Sequence, residues 1–84
     1  MKTIDADFNA LTEKEHIRLT SPLAQRSIEA SGTRPGDWVW LADADMIVAA
    51  KLAQDPRYGL LGIPAWKTLV HLDDETRSDD LSAL

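Results

Sequence analysis

Arg34-Pro35-Gly36-Asp37 runs directly into Trp38-Val39-Trp40-Leu41-Ala42, and this junction constrains the fold more than any other stretch of the chain. Proline presets the second position of a turn and glycine accepts positive φ at the third, which is type II turn chemistry. The five residues that follow are apolar at both parities, with aromatic Trp38 and Trp40 and β-branched Val39 among them. They read as a central strand covered on both faces. Such a strand needs partners. Asp43-Ala44-Asp45 has the small polar residues of a tight turn, after which Met46-Ile47-Val48-Ala49-Ala50-Lys51-Leu52-Ala53 runs back antiparallel. Several of these residues are good helix formers, and a helix capped by Asp43 and stopped before Pro56 is the competing reading. The need of Val39, Leu41, Ile47 and Val48 for cross-strand neighbours favours strand.

The remaining signals are short. Asp7-Phe8-Asn9-Ala10-Leu11 and His16-Ile17-Arg18-Leu19-Thr20 alternate in polarity across Thr12-Glu13-Lys14-Glu15, which predicts a hairpin with Phe8, Ala10, Ile17 and Leu19 inward. The T-x-x-E spacing of Thr12 and Glu15 also permits a capping box opening a helix. Ser21-Pro22 ahead of Leu23-Ala24-Gln25-Arg26-Ser27-Ile28-Glu29-Ala30-Ser31-Gly32 predicts a helix over residues 22–31. Serine accepts from a free amide, proline is tolerated at the first position, and glycine makes the left-handed stop. Leu23, Ala24, Ser27 and Ile28 form its one apolar stripe, placed as a plug over the end of a barrel. Beyond the turn cluster of residues 54–59, Leu60-Leu61-Gly62-Ile63 is a short strand, and residues 67–72 form the last one.

At 84 residues the chain has room for one domain, since chains this small bury only about 60 to 65% of their unfolded surface. The count of about five short strands and one helix predicts an α+β, mainly β domain: a small, highly bent antiparallel barrel, SH3-like or OB-like, within residues 1–72. The Pro-Gly-Asp-aromatic-Val junction at residues 35–39 and the hairpin after it resemble the way SH3-like barrels begin a strand, a likeness that speaks to fold and not to activity. The contact energy is expected from Trp38, Val39, Trp40, Leu41, Ile47, Val48, Leu61, Ile63, Leu69 and Val70. Residues 73–84 read as a flexible acidic tail, with Leu81 and Leu84 available for weak docking.

Charge and composition remove several function classes. The formal charge of −5 argues against a sequence-independent grip on nucleic-acid phosphates. It is unevenly placed: Asp73, Asp74, Glu75, Asp79 and Asp80 against Arg77 give residues 72–84 a net −4, which leaves residues 1–71 at −1. The lack of cysteine excludes disulfides, iron–sulfur clusters and thiol nucleophiles, and fits a reducing, cytoplasmic setting. Acids at Asp5 and Asp7 stand where a signal peptide would be apolar, and no run approaches the roughly 20 apolar residues of a membrane span. His16 and His71 without cysteine give no zinc signature. No Gly-x-Ser-x-Gly elbow accompanies Ser21, Ser27 or Ser31, and Gly59-Leu60-Leu61-Gly62 lacks the lysine and helix of a phosphate cradle. No cofactor is implied.

The unusual feature is three tryptophans in so short a chain. Indoles filling the core are the bland explanation. The functional one is an aromatic surface made by Trp38, Trp40, Tyr58 and Trp66, binding a protein or an extended peptide, with Asp43 and Asp45 in the adjoining loop attracting a basic side chain. The leading expectation is therefore a non-enzymatic interaction module, monomeric or weakly dimeric, with no membrane or nucleic-acid partner. Self-assembly would use an uncapped edge such as the strand at residues 60–63. The alternative is a small metal-dependent enzyme using Asp37, Asp43 and Asp45. Position 48 is valine where a calcium loop has glycine, and position 54 is glutamine where it has an acid.

Overall fold

A computed structural model gives the fold of residues 1–71, the residues described here. In chain order they form β1 (Lys2–Asp5), β2 (Ile17–Arg18), α1 (Pro22–Ser31), β3 (Trp38–Ala42), β4 (Met46–Asp55), β5 (Gly59–Pro64), a 3₁₀ turn (Trp66–Thr68) and β6 (Val70–His71). The expected acidic tail and Leu72 lie outside the described residues.

The long strand β4 carries the sheet. Its first half pairs antiparallel with β3, from Ala42 opposite Ile47 to Trp38 opposite Lys51. On its other edge the second half pairs antiparallel with β5, from Ala50 opposite Pro64 to Asp55 opposite Gly59. The strand reading of residues 46–53 therefore holds over the helix reading, because a β-rich segment flanked by two apolar strands satisfies its amides on both edges. The six-stranded sheet runs β1-β3-β4-β5-β2, with β6 added to the first residues of β4.

This arrangement corrects the antiparallel barrel in two respects. The strand β1 was not anticipated, and it pairs parallel with β3, from Lys2 opposite Val39 to Asp5 opposite Ala42, so the sheet is mixed. The end strands β1 and β2 do not pair with each other, so the sheet does not close. It is sharply bent nonetheless. In a flat sheet Leu41 and Gly62 would lie two strand spacings apart and four residues apart along β4, ~16 Å in all. In the fold, a Cβ placed on Gly62 would stand 2.5 Å from Leu41 Cδ1. Glycine at this position lets the far strand fold over onto Leu41.

The concave face holds the core. Ile4, Leu41 and Val48 share one cross-strand row, Val39 and Ala50 another, and Leu52, Gly62 and Ile17 a third. These residues cluster with Phe8, Leu19 and Ala24, all buried. The list of core contributors inferred from sequence is thus partly wrong: Trp38, Ile63 and Val70 are exposed, while Ile4, Phe8, Ile17, Leu19 and Leu52 carry the interior. The reading of β3 as covered on both faces fails for the same reason, since only Val39 and Leu41 are buried.

The helix matches its expected limits. Ser21 Oγ accepts from the Ala24 amide, and Gly32 ends the helix in the left-handed region at φ 70°. It packs on β1, where Ala24 is buried and Ile28 half-buried, but Leu23 faces solvent instead of the core. The Ala6 amide donates inward to the Ala42 carbonyl. The preceding Asp5 amide points to the opposite edge and donates to Ser27 Oγ at 3.1 Å, and the Ser27 hydroxyl donates to Asp5 Oδ2. The helix so occupies part of the edge that β1 would otherwise present.

The expected hairpin at residues 7–20 is reduced to a Leu11–Ile17 bridge and the two residues of β2. Thr12 Oγ1 accepts from the Lys14 and His16 amides, and Glu15 sits at φ 62°, so the capping-box helix does not form. The last strand is shorter than residues 67–72: the 3₁₀ turn takes Trp66–Thr68, where Thr68 Oγ1 donates to the Ala65 carbonyl. The strand at residues 60–63 is not a free edge along its length, because Leu61 and Gly62 pair with both β4 and β2.

Candidate functional site: the uncovered sheet face

Side chains alternate across a strand, so burying Val39 and Leu41 turns Trp38, Trp40 and Ala42 to the opposite face. The unbroken register of β3, β4, β5 and β6 places Ile47, Ala49 and Lys51, then Ile63 and Val70, on that same face. One row reads Trp38, Lys51, Ile63 and another Ala42, Ile47, Val70, with Trp40 and Ala49 between them. The helix packs on β1 and contributes Ala24 to the core cluster, so among the described residues no helix or second sheet covers this convex face, although Ala49, where the 3₁₀ turn meets β4, is buried.

The result is an apolar surface open to solvent. Trp38 is 50% exposed, Ile63 38% and Val70 39%, while Trp40 and Ile47 are half-buried. Lys51 is the one charged residue at these eight strand positions, and among the described residues no carboxylate lies within ion-pair distance of it. On β1 the same parity is held by Thr3, opposite Trp40, and by Asp5, opposite Ala42, whose carboxylate accepts from Ser27 of the helix. Trp66 opens the 3₁₀ turn just after Ala65, whose amide donates to the Ala49 carbonyl, and it is 37% exposed. Isolated exposed apolar residues are ordinary; here Trp38, Ile63 and Val70 are exposed on one face of the same sheet.

Of the aromatic residues singled out from the sequence, Trp38 and Trp40 share this face and Trp66 borders it. Tyr58 does not join them. It lies beyond Asp55 at the β4–β5 turn, where its hydroxyl donates to Glu13 Oε2 at 3.2 Å and the Arg57 guanidinium stands 5.2 Å from its ring centre. Arg57 also reaches Glu13 Oε1. Together with Thr12, Lys14, His16, Asp55 and Leu61 these groups line a cleft of about 120 Å³. Leu61 has the parity of the open face, yet it is buried at this cleft.

The aspartates are committed to turns. Asp43 Oδ1 accepts from the Asp45 and Met46 amides at 2.7 and 2.8 Å, and Asp37 Oδ2 accepts from the Arg34 amide. Asp37 and Asp43 stand at opposite ends of β3, ~20 Å apart by strand rise. Among the described residues no three metal-ligating side chains gather. Asp55 Oδ1 accepts from the Arg57 and Tyr58 amides. Its carboxyl is held below the ordinary value of 3.8 chiefly by the Tyr58 amide and then by the Arg57 amide. The serines are likewise engaged: Ser21 caps the helix, Ser27 binds Asp5, and Ser31 donates to the Ile28 carbonyl.

Sequence reasoning missed Ile47, Lys51, Ile63 and Val70 as members of the surface. The types of Ile47, Ile63 and Val70 suit a core equally well, and only the cross-strand register shows that they and Lys51 share a side with Trp38. Among the described residues no helix is long and apolar enough to cross a membrane. Comparison of the chain with protein-family models, with curated proteins and with solved structures finds no match.

Proposed function

We propose that this protein is a non-enzymatic, cytoplasmic interaction module that binds a segment of another protein on the convex face of its sheet. The single observation that carries this reading is the uncovered row of Trp38, Lys51 and Ile63. A large flat indole supplies contact area at little cost in side-chain order. The lone ammonium in an apolar surround selects for a carboxylate in the partner, because an apolar group covering it would leave a charge desolvated without compensation. The ligand class that fits is therefore an apolar segment carrying at least one acid.

Selection from a displayed random-peptide library on the wild-type protein, with counter-selection on Trp38→Ala, tests this. The expected ligands combine apolar and acidic residues, lose about tenfold or more in affinity to Trp38→Ala, a hot-spot loss, and weaken on Lys51→Glu. Ligands that bind Trp38→Ala as tightly as wild type, or that show no acidic preference, would overturn the reading.

A further inference from the structure

We propose that the convex face has an occupant within the chain itself: residues 73–84, which dock there and compete with the partner segment. This rests on the reading of that face as a binding surface and adds its regulation. Three observations carry it.

The first is where the described chain ends. Val70 belongs to the face, opposite Ile47, and His71 pairs with Met46 at the edge of the same sheet. The second is reach. The face extends four residues along β4, from the Ile47 row to the Lys51 row, a distance of ~13 Å. The 13 residues from Leu72 to Leu84 span up to ~40 Å when extended. The third is chemistry. This segment has a net charge of −4 and places Asp79 and Asp80 directly before Leu81, with Leu84 three residues on. It offers carboxylates for Lys51 and leucines for Trp38 and Ile63, the combination the face selects.

A second copy of the chain fits less well, because face-to-face pairing would bring two Lys51 ammoniums into one interface while the eight strand positions of the face supply no carboxylate to meet them. Tethering removes the need for a tight contact. At an effective concentration of about 1 mM, an intrinsic dissociation constant of about 0.1 mM keeps the face about 90% occupied and weakens a competing ligand about tenfold.

The test uses the full-length protein and its indoles, since Trp38 and Trp40 lie on the face and Trp66 at its border. In Leu81→Ser/Leu84→Ser, acrylamide quenching of tryptophan fluorescence should rise about twofold with a red-shifted emission. Raising salt from about 0.05 to 0.5 M should move wild type toward the variant, because the carboxylate contacts are screened. The double variant should bind the selected peptides about tenfold more tightly than wild type.

Unchanged quenching in the double variant overturns the proposal. So does a quenching difference that disappears on dilution, which assigns the cover to a second copy. Peptides that depend on Trp38 but bind wild type and double variant equally sink the tail while leaving the binding surface intact. Failure of both proteins to yield Trp38-dependent peptides sinks the binding surface, and quenching still reports on the tail independently.

Discussion

Thr68 closes a gap in the sheet that the 3₁₀ turn opens. Between Ala65, whose amide donates to the Ala49 carbonyl, and Val70, which pairs with Ile47, the chain leaves the edge of β4, and the Ala49 amide would lack a partner. Thr68 Oγ1 accepts from that amide at 2.9 Å and donates to the Ala65 carbonyl at 2.7 Å. Thr68→Val keeps the shape and removes both bonds, so urea unfolding should show a loss of about 1–3 kcal/mol, the cost of an unpaired strand amide. Thr68→Ser should retain most of the stability. Asp55 makes a prediction in pH. Its carboxyl is acidified by the Tyr58 amide first and the Arg57 amide second. A depressed native value stabilises the fold above the unfolded-state value, and the contribution is lost as pH falls through the native one. In Asp55→Asn the turn can still form through the amide oxygen, and the fall in stability on acidification below about pH 4, the ordinary carboxyl range, should be smaller than in wild type.

At the scale of elements, the helix and the bend of the sheet are separately testable. Ser21 satisfies the Ala24 amide, and Ser21→Ala should lower stability by about 1 kcal/mol, as loss of such a cap does. The helix will then fray at the end nearest Leu19, whose carbonyl accepts from Gln25 Nε2, an effect visible as faster amide exchange at Ala24 and Gln25. The bend depends on Gly62. A Cβ there would meet Leu41 Cδ1 at 2.5 Å, so the fully buried Leu41 side chain must shift within the core to admit it. Gly62→Ala should therefore destabilise by about 1–3 kcal/mol through overpacking. In the background of Leu41→Ala the same change should cost less, and the double-mutant cycle reads that coupling directly.

Over the whole molecule, the two faces of β3 should respond in opposite ways to substitution. Val39 is fully buried between β1 and β4, and Val39→Asp puts a carboxylate where nothing pairs with it. The domain should fail to fold cooperatively, as thermal melting by circular dichroism would show. One residue away, Trp38→Ser removes a half-exposed ring from the convex face. Its melting temperature should stay close to wild type while ligand binding is lost. A protein in which both substitutions unfold the domain would have its indole in the core, contrary to the architecture found. This separation of stability from binding is what a sheet with one packed and one open side permits.

The local readings that succeeded rest on local physics. Ser21-Pro22 and Gly32 delimit the helix because capping and left-handed φ are decided within one turn of chain. Gly36 takes φ 99° ahead of β3 because the Pro-Gly turn requires it. Alternation likewise placed Phe8, Ile17 and Leu19 inside. What sequence alone left open was which neighbours each strand would find. Lys2-Thr3-Ile4-Asp5 has no strong signal of its own, and it becomes a strand because β3 offers a free edge and Ile4 fills the row of Leu41 and Val48. Ile47, Ile63 and Val70 are chemically indistinguishable from core residues. Their place beside Trp38 on the open face follows from register, and register is a property of the paired sheet, set by how side chains pack across strands far apart in the chain. The sequence alone determined a β-rich domain with one capped helix and a tryptophan-rich central strand. Only the tertiary structure decided that the sheet is mixed and open, and that Trp38 and Trp40 share with Lys51 a face on which the described residues lay no second layer, because that placement is set by the pairing of strands far apart in the chain.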